Sequence, residues 1–224
     1  IFLLLVSCKT ALINIALEGI GIYDKNATAI SLSNDSKSII CFPIHHIGTK
    51  EYYMDIEKKV DSLISNGYYV YYEGLIQDTL NNHENSRKFR KEFGFIAKNY
   101  VGLIKTKAGN NFEYKEEIID QPKFNFYSLI KSSRNVDVSL NEIIKQYEIS
   151  NGKIVLDSCD LFTPIDKEIT WNNLVLDFRN KNLFEEIKND SIHDKLILVY
   201  GKKHIDAVEV YLMENGYKRL GSVL

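Results

Sequence analysis

The segment from Ser38 to Tyr72 constrains the fold more than any other part of this chain. Ser38 to Ile44 is a continuous apolar run containing Pro43, of the kind a strand shows when both its faces are covered. Tyr53, Ile56, Val60, Leu63 and Ile64 then recur with the period of one helix face, and Gly67 stands where a helix stops at a C′ residue. Tyr68 to Tyr72 is a second β-rich run. Strand, helix and strand in this order form a right-handed crossover, so the two strands run parallel, and a parallel sheet needs helices on both faces.

Other segments extend this pattern. Ile13, Ile15 and Leu17 alternate with Asn14, Ala16 and Glu18, which predicts a short strand, and Thr28 to Leu32 predicts another, followed by a turn over Asn34 to Lys37. Pro43 is expected to end the pairing of its own strand there. A polar helix is expected around Glu84 to Lys98, and Ser139 with Glu142 forms a capping box that opens a helix to about Tyr147. Lys153 to Asp157 reads as a strand. From Thr170, Leu176, Arg179, Leu183 and Ile187 share a helix face, and Lys195 to Tyr200 is a third buried strand. Gly201 then leads into a helix with Val208, Leu212 and Met213 inward, ended by Gly216. The expected fold is one three-layer α/β domain over residues 9–224, a mixed, mainly parallel sheet flanked by helices. Residues 78–150 are expected to form an inserted helical, loop-rich region capping the strand ends.

With 28 Lys+Arg against 30 Asp+Glu the net charge is −2, so there is no basic excess of the kind that binds a nucleic-acid backbone. The chain opens on an apolar run, Ile1 to Val6, too short to span a bilayer, followed by Ser7 and Cys8. That pattern resembles the end of a bacterial lipoprotein signal, cleaved before a cysteine that then carries lipid. Residues 1–8 therefore read as a signal remnant with Cys8 as a lipid anchor, placing the protein in the cell envelope, on a membrane and outside the cytoplasm. Cys41 and Cys159 lie in apolar segments and read as small buried hydrophobes, with a disulfide between them left open. No GxSxG, HExxH, P-loop or GxGxxG motif occurs, which disfavours serine hydrolases, standard zinc proteases and nucleotide enzymes.

The chemistry-bearing residues gather at predicted strand ends. The first strand runs into His45-His46-Ile47-Gly48-Thr49, the second into Glu73-Gly74, and the last into Gly201-Lys202-Lys203-His204. In a parallel sheet these ends share one edge, where open α/β folds bind their ligands. Glu73, His204 and one of His45 or His46 are thus expected to converge. Arg179, a charge on an otherwise apolar helix face, needs a carboxylate there, and Glu73 is the expected partner. The tyrosines at 52, 53, 68, 69, 71 and 72 flank this edge as core or as an aromatic pocket.

His46-Ile47-Gly48-Thr49, Tyr72-Glu73-Gly74, Arg179-Asn180 and Gly201-Lys202-Lys203-His204 together resemble the TraB/PrgY, GumN and Tiki superfamily, whose wider relatives are the erythromycin esterase and ChaN-like proteins. The family pattern has two GxxH-type motifs, and here Glu51 stands where the first would place its histidine. The resemblance implies a hydrolase acting on a peptide or small-molecule ligand by one of two routes. In one, His46, Glu73 and His204 hold a divalent metal (Mn, Co or Zn) that acidifies water, although Lys50, Lys202 and Lys203 would repel a cation if turned inward. In the other, His204 or His46 is a general base assisted by Glu73, with Arg179 stabilising an oxyanion. The alternative from another class is a non-catalytic lipoprotein that captures a ligand, haem or metal in the same cleft. Lipid anchoring is testable by itself: the protein expressed with a complete signal should partition into detergent, and Cys8→Ala should release it. Unchanged partitioning of an exported Cys8→Ala protein rules the anchor out.

Overall fold

The computed structural model describes residues 2–76, 82–94, 99–109, 111–158 and 173–220. Its centre is a six-stranded sheet in the order β6-β4-β7-β2-β1-β8. These strands are β1 (Ile30–Ser33), β2 (Ser38–Ile44), β4 (Tyr69–Tyr72), β6 (Ser133–Asn135), β7 (Lys195–Gly201) and β8 (Lys218–Arg219). The four neighbours β6, β4, β7 and β2 pair in parallel, and β1 and β8 add antiparallel strands at one side. A small pair, β3 (Ile47–Gly48) with β5 (Ile119–Asp120), lies apart. The α/β architecture expected from the crossover is the one observed.

Alternation along the buried strands divides the core into two layers. Ile40, Phe42 and Ile44 of β2, with Ile197 and Val199 of β7, face α2 (Lys50–Ser65) through Tyr52, Tyr53, Ile56 and Val60. Ile39 and Cys41, with Leu196, Leu198 and Tyr200, face the opposite way. They meet Leu183 and Ile187 of α6 (Asn173–Asn189) and Ile205, Val208 and Leu212 of α7 (Lys202–Glu214). A strand buried on both faces must be apolar at every position, which is why β2 and β7 read as unbroken runs.

Several local expectations change. The segment 13–17 is not a strand: it lies in α1 (Phe2–Gly19), where Ile13 and Leu17 are one turn apart on the same face and pack in a small core of their own. The alternation of so few residues is compatible with either period, and tertiary packing selects the helix. Pro43 does not end its strand, because β2 pairs with β7 as far as Ile44 and Gly201 while pairing with β1 stops at Cys41. The Pro43 carbonyl points to the side β1 has vacated and accepts the Tyr52 hydroxyl at 3.1 Å, so the missing N–H disturbs no ladder.

Lys153 to Asp157 is not a strand, for it finds no strand partner among the described residues; the Ile154 amide instead donates to Glu148 Oε1 at 3.1 Å. Met213 is exposed while Val208 and Leu212 are buried. The helix expected to reach Lys98 ends earlier, at Phe93, where Gly94 takes a positive φ of 88° and closes the last turn. The apolar segment at Cys159, its pairing with Cys41 and the helix start at Thr170 lie outside the described residues.

The stretch 78–150 does more than cap the sheet. It carries α3 (Asn82–Phe93) and α4 (Tyr100–Ala108), but also edge strand β6 and α5 (Leu140–Asn151), whose Ser139–Glu142 capping box is formed. A second, smaller core joins α1, α4 and the β3–β5 pair through Leu17, Ile22, Ile47, Phe112 and Ile118. No helix of the described residues is long and apolar enough to cross a membrane.

Thr49 connects this small core to the main one. Its hydroxyl caps α2 by accepting from the Tyr52 amide at 3.1 Å and donates to the Asp24 carbonyl at 2.7 Å, while the side chain is buried. Thr49→Ala should lower unfolding stability by about 1–2 kcal/mol in a urea titration.

Candidate functional site

All four parallel strands deliver their carboxyl ends to one edge. Read across it in sheet order, β6 leads to Asp137, β4 to Glu73, β7 to Gly201 and β2 to His45. Glu73 continues its ladder by donating its amide to the Val199 carbonyl at 3.0 Å, which sets its side chain between the ends of β6 and β7.

Arg179 enters this edge from α6. Its Nε donates to Asp137 Oδ1 at 3.0 Å, and Nη2 donates both to Asp137 Oδ2 at 2.6 Å and to Glu73 Oε1 at 2.8 Å. The Arg179 and Asp137 side chains are only 6% and 1% exposed. The remaining partners of both carboxylates are mostly backbone amides: Gly74 and Val138 donate to Asp137 at 3.1 and 2.8 Å, and Gly201 donates to Glu73 Oε2 at 2.5 Å. Gly201 suits that approach, since a Cβ there would lie 3.0 Å from Glu73 Oε2 and push the carboxylate back.

His204, in the first turn of α7, completes the cluster. Its Nδ1 is 2.6 Å from Asn180 Oδ1, hydrogen-bond distance for a ring that carries a proton on Nδ1. Nε2 then faces Glu73 Oε1 at 3.5 Å. The Tyr200 ring meets His204 edge-on, and among the described residues its buried hydroxyl has no hydrogen-bond partner.

The electrostatics follow from these contacts. Burial by itself would raise the Glu73 carboxyl, but His204, Arg179 and the Gly201 amide together outweigh it and hold the group well below the usual carboxylate range. Burial likewise opposes the charge on Arg179, and the Asp137 and Glu73 carboxylates more than restore it. The Tyr200 phenol is pushed far up by burial and then by the Asp137 and Glu73 charges.

Two tyrosines feel the charge of Glu73 without bonding to it. Tyr100 and Tyr127 both have phenols raised first by burial, with the Glu73 charge contributing. Tyr127 stacks on Tyr72 at 4.2 Å and is bonded through its hydroxyl to Gln121 Nε2 at 3.3 Å. His46 belongs with them: its ring stacks on Tyr100 at 5.0 Å and its Nδ1 lies 3.3 Å from Gln121 Oε1.

The fold therefore brings Glu73, His204 and Arg179 together as expected, and Glu73 is the carboxylate that meets Arg179. Glu186, farther along the same helix, pairs with Arg134. His46 joins neither Glu73 nor His204 through a contact. The reason is topological: β7 lies between β4 and β2, so the loop after β2 starts two strand spacings, about 10 Å, from Glu73. His45 is half-buried beside Tyr52, its pKa lowered by burial against an opposing pull from Asp24.

A divalent ion does not fit the donors as arranged. Glu73 directs one oxygen at an arginine and the other at an amide, and among the described residues no three His, Cys, Asp or Glu side chains gather around one point. Lys202 and Lys203 are exposed, and Lys202 pairs with Asp206.

Asp137 and Asn180 are functional candidates that sequence reasoning did not assign. Asp137 stands between Val136 and Val138 at a strand end, the signal of a carboxylate drawn inward, but in a stretch with little other pattern. Asn180 was visible only as the neighbour of Arg179. No family model, curated protein or solved structure matches the chain.

Because the folded protein keeps Glu73 ionised below its ordinary titration range, Glu73 contributes stability that is present at neutral pH and lost as the pH falls through the carboxylate range. Glu73→Gln should cost about 3 kcal/mol at pH 7 by leaving Arg179 with one carboxylate. It should also flatten the loss of stability between about pH 5 and pH 2, measured by urea unfolding at each pH.

Proposed function

We propose that this protein is a hydrolase of peptide or ester bonds, held to a membrane by lipid on Cys8, that activates water with His204 and Glu73. The observation that carries this reading is the orientation of His204. Asn180 holds the ring through Nδ1, and Nε2 is turned to a carboxylate kept ionised. A water at Nε2 gives up a proton to that nitrogen as its oxygen attacks the carbonyl carbon of the substrate. The imidazolium so formed is stabilised by Glu73 Oε1, and it returns the proton to the leaving group as the carbonyl–leaving-group bond breaks.

Arg179 has a different part from the oxyanion role implied by the family resemblance. Its Nε and Nη2 are spent on Asp137 and Glu73, so it is a positioning residue that fixes the direction of Glu73. Tyr100 and Tyr127 lie within the field of Glu73 and form the side from which a substrate approaches, with Gln121 and His46 behind them. No step is assigned to a metal, because the donors do not suit one.

A binding cleft without turnover has one observation in its favour: the Glu73 oxygens are already fully engaged by the protein. Turnover separates the two readings. Purified protein is assayed on a panel of peptides and carboxylic esters, and His204→Gln and Asn180→Ala are compared with wild type at matched thermal stability. The hydrolase reading expects kcat to fall by roughly 10²- to 10⁴-fold in His204→Gln and by less in Asn180→Ala. A stable His204→Gln protein that retains wild-type kcat overturns it.

A further inference from the structure

The helix α1 is apolar on two faces, and among the described residues only one is covered. Ile13 and Leu17 pack toward α4 and the β3–β5 pair. This docking is fixed by polar contacts at the same side: Asn14 Nδ2 donates to the Glu113 carbonyl at 2.9 Å, the Tyr23 hydroxyl donates to Asn14, and Lys115 pairs with Glu18 at 2.6 Å. The helix is therefore not free to roll its other side inward.

That other side presents Ala11, Leu12, Ile15, Ala16, Gly19 and Ile20, all exposed, with Ile20 extending the helix by donating its amide to the Ala16 carbonyl at 3.2 Å. Leu12, Ile15 and Ile20 are 67%, 63% and 61% exposed. The stripe includes no charged residue; Lys9 stands at one edge and Glu18 at the other. A second apolar face left exposed beside a covered one marks a surface that another apolar phase covers.

The register of the helix says by what. Cys8 precedes Leu12 by one turn and Ile15 by two, so the backbone position proposed to carry the lipid lies on the line of the exposed stripe. A lipid leaving the helix there has its chains in the bilayer beside the residues that follow. We propose that the exposed face of α1 lies on the lipid surface, so that the anchor and the helix together hold the domain in one orientation rather than on a loose tether. This rests on the lipid-anchor reading for its choice of occupant. A single lipid chain holds a protein only marginally, and an apolar helix face adds area buried in the interface.

The test removes the lipid from the comparison. Full-length Cys8→Ala protein is floated with vesicles of phosphatidylcholine containing phosphatidylglycerol, beside the same protein carrying Leu12→Gln, Ile15→Gln and Ile20→Gln. The apolar run before residue 8 is common to both, so the difference reads the face alone. Expected is at least a tenfold lower partition for the triple variant, with unchanged circular dichroism and both proteins sedimenting as monomers. Equal partition overturns the proposal. So does a Cys8→Ala protein that sediments as a dimer and becomes monomeric in the triple variant, which assigns the face to a second copy. Failure of the anchor itself is read separately, from detergent partitioning of the wild type and its Cys8→Ala variant.

Discussion

The buried arginine between two carboxylates holds the rest of the site in place. Arg179 cannot relieve its burial by losing a proton, so the fold must bring anions to it, and it does so from two separate strand ends. Asp137 follows β6, Glu73 follows β4, and Arg179 comes from α6 on the layer beneath. Three elements distant in sequence are thereby fixed against one another to within a hydrogen-bond length. Replacing such a cluster by apolar side chains of similar volume often leaves a protein as stable or more so. The cluster is better understood as fixing geometry than as adding stability: it leaves Glu73 ionised, with Oε1 also facing His204 and Oε2 held by the Gly201 amide.

The cap is built on a different principle. Its core of α1, α4 and the β3–β5 pair is almost wholly apolar and is joined to the sheet by short links, among them Thr49 at the start of α2. Two side chains carry it to the site: Tyr100 at the start of α4, and Gln121 just after β5, which is bonded to both His46 and Tyr127. A shift of α1 or α4 against the sheet would move these side chains and leave the Arg179 cluster where it is. The proposed lipid contact at α1 and the proposed substrate approach at Tyr100 would thus act on the same small module.

Much of this was legible in the residues. Glu73, His204 and Arg179 were marked by their placement at strand ends and on an apolar helix face, and those positions follow from local periodicity alone. Asp137 was harder to see because β6 has three residues, too few to announce a strand. The strand expected at 13–17 became a helix because alternate and helical spacing coincide over so short a run, and the packing of Ile13 and Leu17 decided between them.

The sequence by itself determined which segments are buried on both sides, where helices α2 and α7 stop and α5 starts, and that strands β2, β4 and β7 end on one edge. It did so because side-chain period, capping and turn chemistry act over a few residues. The order of the strands across the sheet was decided only by the tertiary structure. β7, arriving more than a hundred residues after β4, pairs between β2 and β4. That insertion sets Gly201 and His204 beside Glu73, holds His46 two strands away, and leaves Asp137 on the outer side to share Arg179. Strand order depends on which long-range pairing buries the most surface, and no local stretch of sequence contains that comparison.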